Sequence, residues 1–463
     1  METTLRLTTG QHIELKKHLY PGDGNEAAAI ILCGRRAGNE RHCFTGTMVF
    51  PIPFDQCSVR TPFRITWSTE ALLPVLTEAA KRKLAIVKIH SHPGGLEEFS
   101  ETDDKSDLDL FQSVYGWCDD EAPHGSAIML PDGRIFGRVV SPNGDFTPLS
   151  SVMVVGDEIQ LFDQSDNQQP LPEYTLRHRQ IFGAGTTAKL RHLTAAIVGV
   201  SGTGSPLVEQ LARLGVGKLI LVDPDRVEEK NLNRILNAGM RDAVEGQSKV
   251  DVAARSIEEM GVGTKIIRFT RNLYDPEVVA TVAQSDVIFG CMDSVDGRHL
   301  LNRLATFYVI PYFDIGVKLE SDGKGGIDQV CGTVHYLQPG GSSLLSRGTY
   351  TLEQVRAAGL RRTDPEAYRE QLKEKYITGI VEDRPAVISV NMFFASLAVN
   401  EFLARLHPYR DDDNRLFATY RFSLSQAQIY TDEEGEPCRL FARHLGRGDV
   451  VPLLDMPELD GCI

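Results

Sequence analysis

Residues 194–223 read TAAIVGVSGTGSPLVEQLARLGVGKLILVD. The first seven, TAAIVGV, form an apolar run of strand type. SPLVEQLARLG (205–215) sets Leu207, Val208, Leu211 and Leu214 on one helical face and stops at Gly215. KLILVD (218–223) is a second strand, so the stretch is one βαβ unit. Downstream, TKIIRFT, DVIFGC and YFDIGV supply further strands of the same sheet. The alternation predicts an α/β fold with a doubly wound, mostly parallel, Rossmann-like sheet and helices on both faces.

The turn inside this unit carries chemistry. Gly199, Gly202 and Gly204 let the backbone approach a phosphate at a helix N-terminus. Asp223 ends the second strand, where an acid can bind a ribose hydroxyl. A dehydrogenase fits these residues, although Ser201 stands where the second glycine would be. The residues beyond Asp223 point to another chemistry. DPDRVEEKNLNR (223–234) places Asn231 and Arg234 just past the second strand, GQSK (246–249) adds Lys249, and GCMD (290–293) sets Asp293 behind a later strand. Cations that offset triphosphate charge and a carboxylate for magnesium are what an ATP-dependent adenylating enzyme needs and a hydride transferase does not.

Residues 173–440 resemble the adenylation domain of the ThiF/MoeB/ubiquitin-activating superfamily. The resemblance implies that Asp223 binds ribose, that Asn231, Arg234 and Lys249 contact phosphates, and that Asp293 binds magnesium. It also implies a homodimer in which Arg179, within RHRQ, reaches the partner's ATP. The chain departs from the family at two places. PGGSSLLS (339–346) has Ser343 and Ser346, and EPCRLFARHLG (436–446) has Cys438 and Phe441, where two CxxC pairs usually hold a structural zinc. One thiolate cannot hold tetrahedral zinc, so no zinc is expected in this domain. The usual thioester cysteine is also missing between Cys331 and Cys438, where YITGIVEDRPAVISV (376–390) stands. Cys331, expected in a strand, reads as a small buried hydrophobe. Cys291 lies in the nucleotide region and Cys462 on the tail.

A second constellation precedes this region. KIHSHPGGLEEFSETDD (88–104) follows the apolar strand LAIVKIH (84–90). Residues i and i+2 of a strand point the same way, so His90 and His92 can aim two imidazoles at one point. Pro93 and two glycines turn the chain, and Asp103 offers a third ligand, with Asp104 as its rival. Three protein ligands and one open position are the pattern of a catalytic zinc. Ser100 could donate a hydrogen bond to a developing oxyanion. The spacing H-x-H-P-x6-S-x-x-D is the JAMM motif of JAB/MPN-type zinc isopeptidases, and the first 150 residues resemble that family. The resemblance implies a general acid/base glutamate from an earlier strand. Glu26 in NEAAAIILCG (25–34) stands in that place, with Glu14 a second upstream carboxylate.

These readings divide the chain into a JAB/MPN-type α/β domain (1–160), a polar linker (161–174) containing FDQSDNQQPLPEY, and an adenylation domain (175–463). STEALLPVLTEAAKRK (68–83) reads as a helix with Ser68 near its N-cap and Pro74 shortening or kinking it. A net charge of −14 over 463 residues argues against nucleic-acid binding. METTLRLTTG has no apolar core of a secretory signal, and VISVNMFFASLAVNEFL (387–403) reads as a buried helix, so no membrane role is expected. Eight cysteines without CxxC pairing suit a reducing cytoplasm.

Together the readings resemble bacterial JAB–ThiF fusions of ubiquitin-like conjugation operons. The resemblance implies a cytoplasmic bifunctional enzyme using one zinc, ATP and magnesium. It would cleave at the C-terminus of a Gly-Gly-ended ubiquitin-like or sulfur-carrier protein, adenylate that terminus, and pass it to a separate conjugating-enzyme-like protein. The alternatives are activation of a sulfur carrier in cofactor or cysteine biosynthesis, and a nucleotide-binding partner protein without catalysis.

Overall fold

The computed structural model describes residues 2–118, 121–163, 171–373 and 385–459. They form two compact units.

The first unit holds the described residues up to 163 together with 307–309 and 444–455. Its strands are β1 (Glu2–Thr8), β2 (Ala28–Arg36), β3 (Arg41–Pro51), β4 (Cys57–Thr61), β5 (Arg64–Trp67), β6 (Ala85–Ser91), β7 (His124–Met129), β8 (Ile135–Val140), β9 (Phe146–Pro148), β10 (Ser151–Val155) and β11 (Ile159–Asp163). Nine of them make one mixed sheet in the order β11-β10-β1-β3-β2-β6-β7-β8-β9, and β4 and β5 form a separate hairpin. The central strands β2 and β6 are almost wholly buried, which fits their unbroken apolar runs. One face packs Leu15, Leu19, Ile31, Val87 and Ile89, and the other packs Ile30, Leu32, Leu76, Ile86 and Phe111. The expected helix at 68–83 is divided by Pro74. Ser68 Oγ caps a 3-10 turn at Thr69–Leu72, and the α-helix Leu73–Arg82 starts with Pro74 in its first turn, where a missing N–H costs nothing.

The second unit holds the described residues of 171–306, 310–443 and 456–459. Its strands are β12 (Thr194–Val198), β13 (Lys218–Val222), β14 (Lys265–Phe269), β15 (Val287–Gly290), β16 (Tyr312–Ser321), β17 (Ile327–Leu337), β18 (Thr419–Ser423) and β19 (Gln428–Asp432), in the order β14-β13-β12-β15-β16-β17-β18-β19. The first five in that order run parallel and the remaining three antiparallel. The order reverses between β12 and β15, which opens a crevice at their C-terminal ends. Helix Gly204–Leu214 buries Leu207, Val208 and Leu211 and ends at Gly215 with φ 88°. It packs on helix Ile388–Leu406, which also covers β16 and β17.

Of the expected linker, Phe162 and Asp163 close β11, and residues 164–170 lie outside the described residues, as do Cys462 and residues 376–384 of YITGIVEDRPAVISV. No helix among the described residues is long and apolar enough to cross a membrane.

Candidate functional site

β6 carries Lys88 and His90 on one face, and His92 follows just past its end. All three are buried. The two imidazoles face each other, with Nε2 atoms 3.2 Å apart. Asp103, in the first turn of helix Glu101–Cys118, lies 3.0 Å from His90 Nε2 and 3.5 Å from His92 Nε2. The ligand atoms of these three residues all lie within 4.8 Å of one another. His92 Nδ1 sits 2.9 Å from the Leu96 carbonyl, which fixes the proton on Nδ1 and leaves the Nε2 lone pair for a ligand. Asp104 points away and pairs with Arg138 at 2.5 Å.

Electrostatics bind the cluster tightly. Burial lowers the His90 pKa. For His92 burial pulls down, but hydrogen bonds to Asp103 and to the Leu96 carbonyl outweigh it and the pKa is raised. Asp103 is held well below the usual carboxylate range, because its bonds with the histidines and Ser100 overcome its desolvation. Two imidazoles and one carboxylate with their lone pairs converging are a donor set that fits zinc and leaves a position open.

Glu26 is buried just ahead of β2. Ala28 pairs with His90 across antiparallel β2 and β6, so continuing the register puts Glu26 opposite His92. The alignment is held by Ser91, whose N–H donates to the Ala27 carbonyl at 3.0 Å and whose Oγ accepts from Ala27 N–H at 2.9 Å. Burial pushes the Glu26 carboxyl up to about 7. Glu14 is exposed on helix Thr9–Leu19. Ser100 caps the ligand helix: its Oγ donates to Asp103 Oδ2 at 2.7 Å and accepts from Asp103 N–H at 3.2 Å. The hydroxyl's one proton is thereby engaged, and donation to an oxyanion requires breaking that bond.

The second unit gathers the nucleotide residues at the crevice. Gly199 has φ 93°, and a Cβ there would meet the Cys291 carbonyl at 2.7 Å. A Cβ on Gly204 would lie 1.8 Å from the Gly199 carbonyl oxygen, and one on Gly202 would strike Asn391. Asp223 Oδ2 accepts from Val200 N–H at 2.7 Å, tying the loop to the end of β13. Its pKa is raised by burial. Lys249 Nζ lies 2.7 Å from Asp225 and 3.9 Å from Asp223. Asn231 Oδ1 accepts from Glu228 N–H, leaving its amide N–H groups to donate. The Arg234 guanidinium rests on the Lys230 carbonyl and Asn233, with its Cδ beside the Gly202 position. Asp293 is exposed just past β15. Arg179 is half-buried in the helical stretch Leu176–His192, ahead of the break at Gly183 (φ 77°), and its Nε is buried without a partner.

Where related domains would hold their zinc, Ser343 and Ser346 exchange N–H···Oγ bonds of 2.9 and 3.1 Å. Arg347 and Glu434 pair at 2.9 Å, and Glu434 also accepts from Ser342 N–H. Phe441 is buried against the His299 ring. Polar bonds and an aromatic ring therefore bind the loops together. Among the described residues, the His90, His92 and Asp103 group is the one set with metal-ligating geometry.

Residues 175–436 match the ThiF family over more than half the chain. The chain belongs to the ThiF family. Residues 11–130 match the prokaryotic homologs of the JAB domain, so a JAB domain is joined to a ThiF domain as the two motifs implied. Among curated proteins, "Ubiquitin-like modifier-activating enzyme 5" of Drosophila willistoni is 30% identical over 164 residues, 33% of this chain and 38% of that protein. The Drosophila persimilis enzyme of that name is 27% identical over 274 residues, 53% and 67% of the two chains. "Adenylyltransferase and sulfurtransferase MOCS3" of Drosophila persimilis is 29% identical over 188 residues, 38% and 41%. This ThiF-family chain thus spans 38% of the first relative's length. A crystal structure of E. coli MccB with ATP aligns at a TM-score of 0.44 with 17% identity, covering 58% of this chain and 74% of that one.

Sequence reasoning missed Asn391, which touches the glycine loop from far along the chain, and the buried Lys88, Asp107 and Arg138 beside the histidines. Lys88 was detectable by its alternation with His90 and His92. Asn391 left no local signal.

Proposed function

We propose that the chain is a bifunctional enzyme of a ubiquitin-like modifier pathway. The JAB domain cleaves at the modifier's C-terminus, and the ThiF domain adenylates the terminal glycine. What carries this reading is that one chain joins a ThiF-family domain to a buried two-histidine, one-aspartate cluster with a carboxyl of raised pKa across the strand pair.

In the JAB domain His90, His92 and Asp103 would hold zinc, about one per chain. Zinc, when bound, supplies Lewis acidity at an open position. Glu26 takes a proton from the attacking water onto its carboxylate and delivers it to the leaving nitrogen. Ser100 keeps Asp103 oriented through its cap.

In the ThiF domain the backbone of Gly199–Gly204 and the side chain of Asp223 seat ATP. Asn231, Arg234 and Lys249 offset triphosphate charge, with Lys249 leaving Asp225 to do so. Asp293 would hold magnesium, which when bound would supply positive charge against the triphosphate. The modifier carboxylate forms a bond to the α-phosphorus as the bond to pyrophosphate breaks, giving the acyl adenylate. Two copies act together, with Arg179 of each reaching the other's nucleotide. Both activities handle one Gly-Gly tail, which is the reason to join them.

The name of the MOCS3 relative favours a second reading, activation of a sulfur carrier. The deciding experiment incubates the full chain with ATP, magnesium, a sulfide source, Gly-Gly-ended proteins and a C-terminally extended precursor. Modifier-dependent ATP–pyrophosphate exchange with metal-dependent trimming supports the proposal. Exchange that ends only in a thiocarboxylate product moves the assignment to the sulfur carrier, and no exchange with any such protein refutes both.

A further inference from the structure

Beyond the three ligands, the same strand and helix share a second contact. Lys88 precedes His90 by two residues on β6, and Asp107 follows Asp103 by four on the helix. Two strand residues advance about 6.6 Å and four helical residues about 6 Å, so the spacings nearly match. The elements therefore meet at two rungs: His90 to Asp103 at 3.0 Å and Lys88 to Asp107 at 2.5 Å. Arg138 completes the second rung. β6 pairs with β7 at Lys88–Ser126, and β7 with β8 at Ser126–Arg138, so Lys88 and Arg138 lie in one row on one face of the sheet. Arg138 donates to Asp107 Oδ2 at 2.7 and 3.2 Å, and its guanidinium lies 3.8 and 3.6 Å from the Phe99 and Phe146 ring centroids. Asp107 is fully buried with both oxygens engaged by cations.

We propose that the Lys88–Asp107–Arg138 triad is a positioning device that sets how tightly His90, His92 and Asp103 hold their metal. The inference rests on the metal reading above. An apolar contact between strand and helix tolerates sliding, whereas a buried Lys88 ion pair together with directional guanidinium hydrogen bonds from Arg138 to the same carboxylate opposes it. The triad fixes the helix along its axis, and Asp103, one turn away on the same face, inherits that register.

The test measures zinc affinity of the full-length protein by competition with a chromophoric chelator, and the visible spectrum of the cobalt(II)-loaded protein. One variant combines Lys88→Met, Asp107→Leu and Arg138→Met, replacing the buried ions by apolar groups of similar volume. The other is Lys88→Met alone, which leaves Asp107 paired with Arg138. The expected result is an affinity loss of about 10- to 100-fold in the triple variant and a smaller loss in the single one. The cobalt bands should change in both variants, with the unfolding temperature of the metal-free protein kept in the triple variant, where the buried ions are removed together. Affinity and cobalt bands matching the wild type in both variants would overturn the inference while leaving the metal reading intact. A wild type that takes up neither metal overturns the metal reading and this inference with it.

Discussion

Asp103 and Asp104 are adjacent and chemically identical, yet they go to different partners. One residue along a helix is a turn of about 100°, enough to send Asp103 to the histidines and Asp104 to Arg138. Glu26 has a comparable dependence on place, since burial against the cluster leaves its carboxyl near neutrality. Glu26→Gln should keep about one zinc per chain yet lose cleavage by at least ~100-fold, read by metal analysis beside a peptide-release assay. Cleavage at wild-type rate would remove the residue from the chemistry. His124 gives a pH prediction. Ile86 N–H donates to its Nδ1 at 2.9 Å, and burial, with Arg35 nearby, lowers its pKa to about 3. The unfolded chain takes up that proton near pH 6.5 and the native state near 3, so stability falls as pH drops through that window. At pH 5 the loss is about 2 kcal/mol. His124→Asn, which retains an acceptor for Ile86, should flatten the fall in urea midpoint between pH 7 and 5. An unchanged slope refutes the assignment.

Among elements, the glycine loop between β12 and helix Gly204–Leu214 is the tightest construction in the second unit. The helix starts so close to the end of the strand that a methyl group on Gly204 has no room against the Gly199 carbonyl. Gly204→Ala should therefore open the loop and abolish ATP–pyrophosphate exchange. Gly185→Ala is the control: no atom lies within 4 Å of its added Cβ. It should leave exchange unchanged and stabilise its helix by up to about 1 kcal/mol. Equal exchange in both variants would mean that the loop does not cradle phosphate.

For the whole molecule the question raised by the proposed function is how an activated modifier would leave. Cys331 lies half-buried in β17 with a raised pKa, burial being the main cause, and Cys438 is buried. Neither resembles an activated nucleophile. Adenylation should need Arg234, Lys249 and Asp293 but not Cys331, Cys438 or Cys462, the acyl group passing directly to a thiol on a separate protein. A thiol-sensitive modifier adduct on the wild type, lost in one cysteine variant, would refute direct transfer and name the relay. The proposed homodimer makes its own prediction. Light scattering should give twice the chain mass, and Arg179→Ala should impair exchange without dissociating the dimer. A monomer that still adenylates would end the trans assignment.

The sequence by itself determined the βαβ unit at 194–223, the ThiF and JAB resemblances and the His90–His92–Asp103 set, because each is written in a local period or a fixed spacing. Alternation aims two histidines the same way, and a three-residue step caps a helix. What the tertiary structure decided are meetings between residues with no local signature. Arg138 reaches Asp107 only through the register of three strands. Asn391 reaches Gly202 only once a late helix packs on an early one. Gly34 and Gly446 approach so closely that either Cβ would clash with backbone, which places residues 444–455 with the first unit. Ser100 has the residue type of an oxyanion donor, but packing aims its proton at Asp103. Spacing fixes which side chains share a face; only the packed chain fixes what that face meets.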